Sequence, residues 1–291
     1  MGKPKHRTCL AVRTFLAFLT STRSNYYQRL SPNVLREVCS YFHPPARVAG
    51  ITEDKLVLYD LKGLVQPGIR LQERFTMGSV FAVWDEDRVV GVGDAPATTR
   101  VFRVNLASGN CKELASMSTK RRFPGVIRYG AFIYVFGSGD RPILSTCEKY
   151  SVALNSWTPL PNTHTGKWAF APCLCGTRIY LPCTTKDFAS FEVFDPKSDS
   201  LEALPIVLRD QLDGSVSFLV RDVIYVLTCS GQVGKLGLKQ GTWEVVTTRL
   251  AEETNALSSA VPLVHLGKVY WSNYSKGTLV KFNLVLDIIE A

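Results

Sequence analysis

The chain has 291 residues, 20% charged and 46% hydrophobic, with 21 Gly and 15 Pro, a composition that excludes disorder, collagen and coiled coil as the whole answer. No hydrophobic stretch reaches the roughly 18 uninterrupted residues that span a bilayer, so the sequence reads as a protein that is not integral to a membrane. The formal charge of +9 is concentrated near the start: residues 1–50 hold eight Lys/Arg against the single acid Glu37, while the rest carries 26 bases and 24 acids. The main body is nearly neutral, which leaves it without the electrostatic footprint of a DNA- or RNA-binding surface.

Residues 1–29 form a basic leader without acids, its apolar run broken by Arg13. Such a segment reads as a basic arm or amphipathic helix, with a mitochondrial presequence as the alternative. Myristoylation is not expected, because the sixth position is His6 rather than Ser or Thr.

A short helix is expected over 30–45. Ser31 can cap it, Pro32 fits a first turn that needs no N–H donor, and Pro44-Pro45 ends it. Val34, Leu35, Val38, Tyr41 and Phe42 recur at helical spacing and give it one apolar face. With Leu30 and Pro32 at its start, the segment resembles the opening helix of an F-box. The Leu-rich second half of an F-box is absent, because a strand-like region begins near Val48. The resemblance implies a docking helix for a cullin-type ligase adaptor, and the alternative is a helix packed on the neighbouring domain.

From residue 46 onwards the chain repeats. An apolar strand centred on Val89-Val90, Ile133-Tyr134, Ile179-Tyr180, Ile224-Tyr225 and Val269-Tyr270 recurs at intervals of 44, 46, 45 and 45 residues. A second marker, a pair of large residues seven apart, follows in each copy: Val104/Cys111, Tyr150/Trp157, Phe194/Leu201, Leu236/Trp243 and Phe282/Ile289. Each copy holds four strand-like runs, for instance 125–128, 131–137, 145–151 and 156–160, separated by turn residues. An earlier partial unit supplies a third strand near 55–61 and a fourth at 69–75. Four short strands per unit at this spacing predict an all-β propeller with six blades, one of them partial.

The copy at 119–161 carries Tyr134-Val135-Phe136-Gly137-Ser138-Gly139, then Glu148-Lys149-Tyr150, then Asn155-Ser156-Trp157 with Pro159. This order of glycines, aromatic and Asn-x-Trp resembles the Kelch repeat, and residues 46–291 are read as a Kelch-like β-propeller. In later copies Pro182-Cys183 and Thr228-Cys229 replace the glycines.

The eight cysteines are read as reduced thiols. Cys173-x-Cys175 with Cys183 lacks a nearby His for a zinc site, and no metal or cofactor is expected. Phosphate-loop, nucleophile-elbow and zinc-protease strings are missing, and His164 and His265 are the propeller's two histidines, so an enzyme is not expected.

A binding role follows from blade geometry. Loops from second to third strand (93–99, 137–145, 182–189, 228–233, 273–277) should share a face with the connections between blades (116–123, 162–168, 207–214, 251–258). Lys120, Arg121, Arg122, Arg141, Lys167, Lys186 and Arg209 fall there and suggest a docking face biased towards an acidic protein partner. The expectation is a cytoplasmic interaction protein, in its most concrete form a substrate adaptor of a ubiquitin ligase; a plain scaffold and a propeller enzyme are the alternatives.

Overall fold

The computed structural model describes residues 47–60, 68–76, 78–85, 87–139, 142–184, 189–204, 216–220, 222–227, 233–239, 241–247, 263–265, 268–273 and 278–283. The chain divides into two units, Met1–Arg47 and Val48–Ala291. Apart from the first residue of β1, the strands belong to the second unit. The leader and the helix expected over 30–45 lie outside the described residues.

The described part is all-β, with antiparallel sheets and no helix among the described residues. A two-stranded sheet pairs β1 (Arg47–Asp60) with β2 (Ile69–Phe75). The first four-stranded sheet contains β3 (Val80–Val83), β4 (Arg88–Val92), β5 (Val101–Asn105) and β6 (Cys111–Glu113). The second contains β7 (Gly125–Tyr129), β8 (Phe132–Ser138), β9 (Leu144–Ser151) and β10 (Ser156–Leu160). The third contains β11 (Cys173–Cys175), β12 (Arg178–Thr184), β13 (Ala189–Asp195) and β14 (Ser200–Ala203). The fourth contains β15 (Val216–Val220), β16 (Val223–Leu227), β17 (Val233–Gly237) and β18 (Thr242–Thr247). A three-stranded sheet of β19 (Leu263–His265), β20 (Lys268–Asn273) and β21 (Thr278–Asn283) follows. In all of them each strand pairs with its neighbours in sequence, as short turns between antiparallel strands allow.

Register explains why two sequence markers keep one period. Ile133 on β8 pairs with Tyr150 on β9, which pairs with Trp157 on β10. The same row reads Val89, Val104, Cys111 in the first four-stranded sheet and Ile179, Phe194, Leu201 in the third. It reads Ile224, Leu236, Trp243 in the fourth. Two residues seven apart in sequence are thus partners across one hairpin, and the markers form a single transverse row. Cross-strand neighbours of this kind supply much of a sheet's side-chain stabilisation.

Apolar clusters fill the space between consecutive sheets. Val90, Val92 and Val101 meet Val126, Ile133 and Val135. Alternate residues of β8 point the other way, so that Tyr134 and Phe136 meet Ile179, Leu181 and Phe194 of the next sheet. Further clusters join Leu71 and Phe75 to Phe102 and Val104, and Phe191 to Ile224 and Leu236. The second and third four-stranded sheets therefore bury both faces, which is why β8 reads as an apolar run rather than an alternating one. Complete burial of Phe136 alone is worth about 1.5–3 kcal/mol.

The glycine positions have conformational consequences. Gly93 and Gly137, each just past a run of paired residues on a second strand, adopt left-handed φ values of 74° and 67°. Where Pro182-Cys183 replaces the glycines, β12 stays in register through Cys183↔Ser190 and Thr184↔Ala189. The β8–β9 hairpin, by contrast, shifts register between Phe136 and Ser138, where Gly137 sits.

Candidate binding face

The connections between sheets and the loops from second to third strand are hydrogen-bonded together. Asp94 and Thr98 donate their N–H groups to the Arg121 carbonyl at 3.1 and 3.2 Å, and Arg121 N–H returns a bond to Thr98 at 2.9 Å. One copy later, Lys167 N–H donates to the Leu144 carbonyl at 3.1 Å and Thr163 N–H to that of Ser145 at 2.9 Å. The two kinds of segment expected to share a face do meet in these copies.

Arg121 and Lys167, expected as exposed docking cations, are enclosed instead. The Arg121 and Glu148 side chains are 1% and 2% exposed, with Nη2 and Nε of the arginine 2.9 and 3.1 Å from Glu148 Oε1. Arg121 Nη1 donates to the carbonyls of Gly137 and Thr146, each at 2.8 Å. Ser118 completes the site by donating from both its N–H and its Oγ to Glu148 Oε2 at 3.0 Å.

The next copy repeats this arrangement with different residues. Lys167 Nζ lies 2.5 Å from Glu192 Oε1, both side chains being almost fully buried. His164 takes the place of Ser118: its N–H donates to Glu192 Oε2 at 3.0 Å, and its Nδ1 lies 3.0 Å from the same oxygen. Burial would raise the Glu192 pKa, but the Lys167 charge and the hydrogen bonds from Lys167 and His164 outweigh it and hold the carboxyl below its ordinary 4.5.

The physical reason for the burial is geometric. A short connection between face-packed sheets passes over the end of the core they share, so a cation on it is desolvated and needs a carboxylate. That carboxylate comes from the third strand, two residues before the Tyr150 or Phe194 marker. The signal was visible as Glu148-x-Tyr150 and Glu192-x-Phe194, together with Ser118 or His164 three residues before the cation.

Of the other expected docking residues, Lys120 is exposed. Arg122 is partly buried and donates from Nε and Nη2 to the Gly139 carbonyl at 3.1 and 3.0 Å. Arg141, Lys186 and Arg209 lie outside the described residues, as do Leu30, Pro32, Val34, Leu35, Val38, Tyr41 and Phe42 of the F-box-like helix. Sequence reasoning missed Ile143, which is 44% exposed, and the His164 side chain, which is 55% exposed on its buried carboxylate. It also missed the edge-to-face pair of Phe123 and Trp168, with centroids 6.2 Å apart.

Among the described residues the buried thiols offer little nucleophilic chemistry. Burial pushes Cys147 up to about 11 and Cys173 up to about 12, so both are protonated at neutral pH. Among the described residues no group of three His, Cys, Asp or Glu side chains is placed to hold a metal ion, and no helix is long and apolar enough to cross a membrane. Neither a scan of protein-family models nor a search of the curated proteins finds a match to this chain.

Proposed function

We propose that residues 46–291 form a Kelch-like β-propeller that binds a protein partner, with the segment 30–45 linking it to a ubiquitin ligase as an F-box-like adaptor. The observation that carries the propeller reading is a contact repeated from sheet to sheet. Phe123 N–H donates to the Gly78 carbonyl, and Ala169 N–H donates to the Phe123 carbonyl, both at 2.8 Å. These residues hold equivalent places about one repeat apart, so successive sheets are related by one operation. First strands also lie side by side, β3 by β7 and β11 by β15, as they do around a propeller axis.

Binding is then assigned to the face built from the connections and the second-to-third-strand loops, because that is where irregular chain with exposed side chains concentrates. Lys120, Pro142, Ile143 and His164 supply its outward groups among the described residues. With Arg121 and Lys167 neutralised internally, these two cations do not bias the face towards an acidic partner.

The test is affinity purification of the intact chain alongside Lys120→Glu/Ile143→Glu and, as control, Leu154→Ser. Leu154 is 77% exposed in the β9–β10 turn, at the opposite end of the strands. The loop variant should lose the partner and the control should keep it; retention by both removes the loop face from consideration. Cullin-type components that co-purify with the parent but not with Leu35→Asp/Val38→Asp support the adaptor, and their absence from the parent leaves a scaffold.

A further inference from the structure

Strands β3, β7, β11 and β15, the first of each four-stranded sheet, line a cavity of about 720 Å³. That volume is in the range that takes small molecules. Val83, Arg128, Leu174 and Leu219 all line it. They occupy one register position, each opposite the second-strand marker of its own sheet: Val89, Ile133, Ile179 and Ile224. Val264 holds the same position in the three-stranded sheet, opposite Val269.

Four copies out of five therefore carry an aliphatic residue here, and Arg128 is the exception. The position keeps its pairing with an aliphatic side chain in the other copies, so the fold itself does not ask for a cation. Nor does an acid account for it. Arg128 Nε donates to the Gly130 carbonyl at 3.1 Å; its charge reaches Asp85, where it is the smallest of the influences that lower that carboxyl, but the carboxylate forms its salt bridge with Arg88. Asp85, on the same wall, is engaged by both Nε and Nη2 of Arg88. The guanidinium is left with donors to spare at the edge of an apolar cavity. Val83, 54% exposed, shows that this wall is open to solvent.

We propose that this cavity binds a small apolar molecule ending in a carboxylate, its hydrocarbon against Val83, Leu174 and Leu219 and its head group on Arg128. A guanidinium fork matches a carboxylate in geometry and charge. The site lies near the turns from first to second strand, away from the proposed docking face, and does not depend on a protein partner.

Decanoate and decanol, below micelle-forming concentration, are the probes, titrated calorimetrically into the full chain. Decanoate should bind saturably, and Arg128→Leu, which restores the residue class of the other copies, should weaken it at least about tenfold, the loss expected for one charge-assisted hydrogen bond. Decanol should bind parent and variant within about twofold of each other, since it makes no such bond. Val83→Trp, which fills the cavity from an exposed position, should weaken both probes. A parent that does not bind decanoate, an Arg128→Leu chain that binds it as tightly as the parent, or equal losses for the two probes would each overturn the assignment. An unchanged melting temperature for Arg128→Leu separates lost binding from lost folding.

Discussion

Gly137 and the Lys167 carbonyl are pressed so closely together that a Cβ on Gly137 would lie 2.1 Å from that oxygen. The contact joins the second strand of one sheet to the connection entering the next, and Gly93 makes the corresponding approach to the Arg121 carbonyl at 2.8 Å. Gly137 thus serves two purposes at once, a left-handed turn and a docking point for the following connection.

Gly137→Ala should therefore destabilise the domain by more than about 3 kcal/mol, the left-handed penalty adding to a backbone clash. Gly130 and Gly176 have φ values of 58° and 59° but open space around the missing Cβ. Alanine at either should cost only about 1–2 kcal/mol. Urea unfolding of the three variants checks the ordering, and equal losses would mean that the Lys167 contact carries no energy.

The buried Arg121–Glu148 pair makes a different prediction. Arg121→Ala should cost about 3–5 kcal/mol, because Glu148 is left charged and desolvated. The double variant Arg121→Met/Glu148→Leu, which leaves no unpaired charge, should lose less than Arg121→Ala alone, while Lys120→Ala next door stays within about 0.5 kcal/mol. Chemical denaturation of the four chains reads this directly, and a small loss for Arg121→Ala would contradict its burial.

Glu192 ties stability to pH. Its folded-state pKa is below the ordinary 4.5, so the stabilisation from Lys167 and His164 is fully present above that value and drains away as pH falls through the lower folded-state value. Glu192→Gln should be less stable at pH 7, since Lys167 loses its counter-charge, and should show a flatter decline below about pH 4.5. Melting temperatures from pH 7 to 3 test the slope, and parallel curves for parent and variant would count against the coupling.

How much of this was legible in the sequence depends on the range of the interaction. The strands of the 119–161 copy fall within one residue of those observed, because Ile133-Tyr134, Tyr150 and Trp157 are set by pairing inside one meander. The fate of Arg121 and Lys167 was not legible as exposure. Loop charges are usually solvated, and burial here arises only when a connection is laid over two packed sheets. Arg128 escaped notice because its oddity appears only after register aligns it with Val83, Leu174, Leu219 and Val264.

Trp157 and Trp243 occupy the same position in that transverse row and should nevertheless respond differently to phenylalanine. Trp157 Nε1 donates to the Ala115 carbonyl at 2.7 Å, while Asn155 Oδ1 accepts the Ala115 N–H at 3.1 Å and the Tyr150 hydroxyl at 2.8 Å. One residue of the preceding sheet's exit is thus held through both its N–H and its C=O by the Asn-x-Trp motif, and Trp157→Phe should cost about 1–2 kcal/mol by orphaning the carbonyl. Because Asn155 grips the same residue, Asn155→Ala combined with Trp157→Phe should depart from additivity by at least about 0.5 kcal/mol. Trp243 lies over Gly234, and its buried Nε1 has no hydrogen-bond partner among the described residues. Trp243→Phe removes that desolvated donor while keeping an aromatic ring on the row, so its loss of packing is offset and the net change should lie within about 1 kcal/mol of zero. Urea midpoints for the two Trp→Phe chains decide the matter: a cost at Trp243 as large as that at Trp157 would show that ring volume, not the indole hydrogen bond, sets the value of tryptophan at this position.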